Sequence, residues 1–415
     1  MKIKSERTAA NSTSLLSSVK KFLLPLGPGI ITAAVVFGPS KMTITSKLGA
    51  QYGYSLLWIV VVAIFFMTVF TALGARIGMA TDQSLLSTIR QKWGNKTAIA
   101  VGIGVFFVCT SFQAGNSIGV GIAVAGISGT SPVLWSILFN VLGISLLFLP
   151  KFYKVLEKLM IFLVALMLFA FVTTLFFAKP NISEVAGGFV PVLPPGSLGL
   201  TIAFTASCFS IVGAFYQSYL VQERIKLNPE IKETNSNSVI GIVILGIMSS
   251  IVLICAAAVL NKRGIQVNSA SDMAKALEPF LGSYASTLFL IGLFGASFSS
   301  LVGNATVGGT LLGDAFGYGS QLSSKVVKGL ISIVMIFGAI IAISFGGLPL
   351  ELIVFAQSIT IFLVPFIGIA MYMVSNDGKI MGEHKNSGMV RIIGIIGIAM
   401  LIFLACINVN ELFFK

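Results

Sequence analysis

The stretch GPGIITAAVVFGPSK, residues 27–41, decides how the chain is read. It is an apolar run interrupted twice, by Gly27-Pro28-Gly29 and by Gly38-Pro39-Ser40, where proline lacks a donor and glycine relaxes the helix. It ends on Lys41, with no acidic residue nearby. A lone ammonium at membrane depth costs about 3 kcal/mol or more, so Lys41 reads as a functional group that calls for a negative partner. The alternative is snorkelling. Counted as straight helix from Phe22, Lys41 lies about 28 Å along the axis, where its stem reaches the headgroups.

Working outward, the 415 residues are 56% hydrophobic and 10% charged, with a mean hydropathy of +0.98. Such a chain is a multi-spanning membrane protein, because its apolar stretches outrun any compact soluble core. Each crossing takes about 20 apolar residues. Spans are expected near 22–45, 54–79, 98–125, 131–149, 158–178, 199–222, 238–260, 282–312, 327–345, 349–374 and 390–412. The net charge of +13 would suggest nucleic acid in a soluble protein, but here placement matters more than the sum. With a cytoplasmic N-terminus, 20 of the 27 basic residues fall in inner segments and 6 in outer ones, with Lys41 inside a span. That asymmetry supports both the orientation and eleven spans; the expected location is a cell membrane, the plasma membrane of a bacterium.

The expected organisation is a cytoplasmic tail (1–21), a first five-span half (22–178), a second (199–374) and a last helix (390–415). No cleavage pattern follows the basic N-terminal residues. A weaker interruption in the sixth span, around Ser207, Ser210 and Gly213, mirrors that of the first. Interrupted segments at matching places in two halves point to an inverted-repeat transporter with its site at the midplane. The four cysteines, Cys109, Cys208, Cys255 and Cys406, lack CxxC spacing and read as small buried hydrophobes. No nucleophile with a base or cofactor motif appears at depth, which argues against an enzyme.

The order of motifs resembles the NRAMP family of proton-coupled divalent metal transporters across nearly the whole chain. The similarity lies in the first span, in Gly49-Ala50-Gln51-Tyr52-Gly53-Tyr54-Ser55-Leu56-Leu57-Trp58, in Tyr216-Gln217-Ser218 with Gln222, in Gly292 to Gly309 with Ser299-Ser300, and in Gln357 with Pro365. The resemblance implies an all-α, LeuT-like fold of 5+5 inverted repeats plus one helix, with the substrate between broken helices 1 and 6. It also marks departures typical of a divergent branch. The family's Asp-Pro-Gly-Asn falls on Gly38-Pro39-Ser40-Lys41, and its Met-Pro-His on Ser210-Ile211-Val212. A second histidine falls on Gln217, and the helix-three acids of the proton route on Gln113 and Asn116.

Emptied of carboxylate, imidazole and thioether, this donor set suits a dication poorly. A +2 ion about 5 Å from a charged Lys41 is opposed by roughly 6–7 kcal/mol at an effective dielectric near 20. The expectation is therefore a secondary transporter of a small inorganic anion, bicarbonate first, working by alternating access with no cofactor. The expected site is Gly38, Pro39, Ser40, Lys41, Ser210, Gly213 and Gln217, supported by Gln113, Asn116 and Gln357. These last three also fit a plain role as interhelical hydrogen-bonding glue. Anion entry against a negative-inside potential would need a cotransported cation, with sodium as the candidate. The expected partners are that anion and the bilayer, not nucleic acid. The alternative reading keeps the family's cargo, a hydrated magnesium or manganese ion.

Overall fold

The computed structural model describes residues 38–208, 211–227, 235–344 and 350–413. Helices account for nearly all of them. In chain order they are α1 (Pro39–Tyr52), α2 (Leu57–Ala80), α3 (Leu85–Trp93), α4 (Asn95–Ser128), α5 (Pro132–Leu146), α6 (Pro150–Ala178), α7 (Leu198–Cys208) and α8 (Ile211–Leu227). The remainder are α9 (Asn235–Val259), α10 (Ala285–Ala315), α11 (Lys325–Ser344), α12 (Leu350–Thr360), α13 (Val364–Ser375) and α14 (Gly388–Phe413), with short helical turns between them.

Each of the eleven expected spans holds a helix. Among the described residues seven helical stretches are long and apolar enough to cross a bilayer, or eight if the bent α12–α13 pair counts as one span. The tail at 1–21 and the first half of the first span lie outside the described residues. So do Phe209 and Ser210, where the sixth span was expected to open; Ser207 and Gly213 on either side are helical.

Local sequence sets the helix ends. Proline occupies the first turn of α1, α5, α6 and α13, where its missing N–H has no intrahelical carbonyl to lose. Ser84 caps α3 by accepting from the Ser87 N–H, and Gly129 closes α4 with a left-handed φ of 70°. The tenth span carries a 41° bend at residues 361–363 that its hydropathy did not announce. Pro365 explains it, because it cannot donate to the carbonyl of Ile361 and the chain passes through tight turns there instead.

The long helices α4 and α10 form the central pair. Asn304 of α10 donates to the Cys109 carbonyl of α4 at 2.7 Å, an interhelical bond with no water to compete for it. Small residues let other pairs close up. At Gly74 of α2 a methyl group would come within 1.9 Å of the Ala214 carbonyl oxygen of α8, so backbone meets backbone. We expect Gly74→Ala to cost about 1–3 kcal/mol or more through overpacking. Gly329→Ala in α11, with open space around it, should stay within about 0.5 kcal/mol. Thermal unfolding of both variants in detergent, side by side, checks the contrast.

Candidate functional site

The site is built where α1 begins. Gly38 sits just before the helix in an extended conformation, and Pro39 supplies a preset first turn. This start is wedged against α4 and α10. A methyl group on Gly38 would lie 2.9 Å from Ser300 Oγ and 3.2 Å from Asn116 Oδ1. Pro39 abuts Gly119, where a methyl group would meet its Cβ at 2.5 Å and Ser297 Oγ at 2.4 Å. Ser40 Oγ lies 2.6 Å from the corresponding position on Gly115. Glycines on α4 thus admit the whole Gly38-Pro39-Ser40 turn.

Lys41 follows and points into the protein, 1% exposed. Its Nζ donates to Cys208 Sγ at 2.7 Å and lies 5.4 Å from the centroid of the Phe204 ring, both on α7. The amine is therefore held against α7 by the thiol and the aromatic ring. The snorkelling alternative does not describe this geometry.

A polar seam runs from the α1 start between α4 and α10. Asn116 and Asn304 each approach Gln113 Oε1 at 3.4 Å. Gln113 Nε2, Ser297 Oγ and Ser300 Oγ are buried with no protein partner. Gln357 of α12 is buried with both amide atoms unpartnered. It lies one turn beyond Ile353, whose Cγ2 reaches the same Gly115 face as Ser40. Gln217 of α8 is buried, with its Cβ against Gly74 of α2. Of the expected set, Gly38, Pro39, Ser40, Gln113 and Asn116 converge, and Lys41 turns to α7. Gly213 is buried in α8, and Ser210 lies outside the described residues.

Polar contacts tie the helices on either side. Toward the cytoplasm, Tyr219 donates to Asp314 Oδ2 at 2.5 Å and accepts from the Leu86 N–H at 3.3 Å, while Arg90 donates to the carbonyls of Asp314 and Ala315. Gln222 donates to the Thr81 and Gln83 carbonyls. Toward the outside, Lys47 of α1 pairs with Glu351 of α12 at 3.0 Å, and Asn261 donates to the Ala50 carbonyl.

Sequence reading missed Cys208, which it treated as an inert hydrophobe, and placed Cys406 among the buried cysteines although it is exposed. It also missed Ser297 and Asn304. Their signal was available: they share a face of the eighth span, seven residues apart, with Ser300 between them. Among the described residues no group of three His, Cys, Asp or Glu side chains could hold a metal ion.

Comparison with known proteins gives the context. A family model described as natural resistance-associated macrophage protein-like (Nramp) matches residues 29–411. The divalent metal cation transporter MntH of Deinococcus radiodurans is 27% identical over 376 residues, covering 88% of this chain and 84% of the relative. The protein of the same name from Bacillus subtilis is 26% identical over 408 residues, covering 94% and 93%. Among solved structures, a mutant of the Eremococcus coleocola manganese transporter superposes with a TM-score of 0.74 at 19% identity, covering 94% of this chain and 87% of that one. MhsT in complex with L-phenylalanine gives 0.60 at 16% identity, covering 91% and 98%. The fold is the LeuT-like one.

These findings correct the cargo. An inorganic anion, bicarbonate in particular, was expected both as substrate and as partner, yet the matched relatives are named for divalent metal cations. The physical premise of that expectation also fails. It took Lys41 as a bare positive charge in an open site, whereas the amine has a thiol partner at contact distance. As amine with thiol, or as ammonium with thiolate, the pair carries no net charge, whereas an ammonium beside a neutral thiol keeps +1, so the repulsion assigned to a dication depends on the proton count of the pair. The case for sodium coupling rested on anion entry and goes with it.

The pairing can be measured. We expect Cys208→Ala to lower stability by about 3–5 kcal/mol by leaving Lys41 buried alone. Lys41→Met combined with Cys208→Ala should recover most of that loss. A double variant no more stable than Cys208→Ala would show that the two groups do not depend on each other.

Proposed function

Because the chain belongs to the Nramp family, we propose that it is a multi-pass plasma-membrane transporter moving a divalent metal cation, magnesium or manganese, by alternating access around the start of α1. The observation that carries this reading is the end-to-end match to relatives named divalent metal cation transporters. The supporting geometry is a buried polar centre with oxygen donors converging from three helices: Ser40 on α1, Asn116 and Gln113 on α4, and Ser300 on α10.

The donor types set the chemistry. Hydroxyl and amide oxygens are hard but uncharged donors, so a dication held by them would keep several of its waters, as magnesium readily does. Binding is then weaker than in a carboxylate cage, and the membrane potential compensates. A charge moving inward gains about 2.3 kcal/mol per 100 mV, so a dication gains twice that and needs no coupled ion for entry. The Lys47–Glu351 pair outside and the Tyr219–Asp314 contact inside are the closures that would open alternately.

Vesicles reconstituted with the pure protein and loaded with a metal-quenched dye test the proposal. Saturable manganese or magnesium entry, accelerated by a negative-inside potential, is expected; no saturable entry of either ion above protein-free vesicles would overturn it.

A further inference from the structure

On the face that the Lys and Arg asymmetry assigns to the cytoplasm, a cleft of about 550 Å3 opens between α3, α13 and the start of α14. Lys92, Tyr372, Asn376, Asp377, Lys385 and Arg391 line it. Lys92 is paired with Asp377. That carboxylate also accepts the Lys379 N–H at 2.8 Å, and the Lys92 hydrogen bond holds it below the usual carboxylate range. It is fully engaged. Arg391 donates through Nε to the Asn386 carbonyl, and the Lys385 side chain lies against Gly378, its Nζ 3.1 Å from where a methyl group would sit. Neither cation has an acidic partner within ion-pair distance among the described residues.

Next to this cleft runs a groove of about 420 Å3, lined by Trp93, Val101, Phe366, Ile369, Ala370 and Met373 between α4 and α13. Met373 lines both, so the two spaces adjoin at that side chain. Phe366, Ile369 and Met373 are 43%, 36% and 48% exposed on the lipid-facing side. The Lys92 ammonium sits 5.2 Å from the Trp93 ring at the junction, the kind of aromatic and basic pairing found at headgroup level.

We propose that the cleft and groove together bind one anionic glycerophospholipid of the inner leaflet, its phosphate against Lys385 and Arg391 and an acyl chain between α4 and α13. Two uncompensated cations select negative charge. The adjoining apolar groove selects a lipid over free phosphate, which could use only the upper cleft. The site lies on the inner surface, apart from the α1 centre, and does not depend on what the protein carries.

The full chain, purified in detergent, can be titrated with dioleoyl-phosphatidylglycerol or dioleoyl-phosphatidylcholine and followed by native mass spectrometry. The expected result is retention of the anionic lipid at about tenfold lower concentration than the zwitterionic one. Lys385→Gln with Arg391→Gln should erase that preference. Thr97 also lines the groove, and Thr97→Trp, which fills it without altering charge, should weaken retention of the anionic lipid, while millimolar inorganic phosphate should leave it within about twofold. Equal retention of the two lipids, a preference that survives the double variant, no effect of Thr97→Trp, or full displacement by phosphate would each overturn the proposal. If the double variant fails to fold, Lys385→Gln alone, a change at an exposed side chain, must reduce the preference.

Discussion

The contact between Lys41 Nζ and Cys208 Sγ is the constraint on which the centre of this protein depends. An amine in the interior of a membrane protein finds no water to satisfy it, so its partner has to be built in. The surrounding architecture provides one. Glycines along α4 let the Gly38-Pro39-Ser40 turn approach closely, Pro39 starts α1 at a fixed place, and α7 brings Cys208 and the Phe204 ring to meet the lysine. Loosening any of these would leave a polar head in an apolar interior.

The pair also joins α1 to α7, the helices around which the proposed transport cycle would turn. α1 leaves the site toward the outer Lys47–Glu351 pair, and α8, the continuation of the sixth span, leaves toward the inner Tyr219–Asp314 contact. The outer contact is an ion pair with an exposed carboxylate, whereas the inner one is buried and reinforced by Arg90 and Leu86. An exposed ion pair contributes little to stability, since water competes for both charges. A buried hydrogen-bonded carboxylate is costly to strip of its partners. The two closures are unequal, and the outer one requires less energy to break.

Charge alone misled where geometry did not. A lysine replacing the family's asparagine, in a span without acids, reads as a positive pocket. That inference treats the lysine as unpartnered, which one sequence cannot establish, because its partner lies 167 positions away and is itself uncharged in isolation. Cysteine carries no periodic or spacing signal that separates a proton-sharing partner from a packed hydrophobe.

The sequence by itself determined the class and marked the apolar segments, and it pointed to the start of α1 as the candidate centre. Hydropathy and basic-residue placement are local sums, and eleven apolar segments with a strong inner bias admit few topologies. Gly38-Pro39-Ser40 marked the start of α1, because proline and glycine act on the backbone where they stand. Only the tertiary structure decided which polar groups meet: Lys41 with Cys208, and Asn304 with Cys109 and Gln113. Those pairings depend on helix rotation and crossing, which are fixed by close packing across the whole bundle and leave no trace in any one segment.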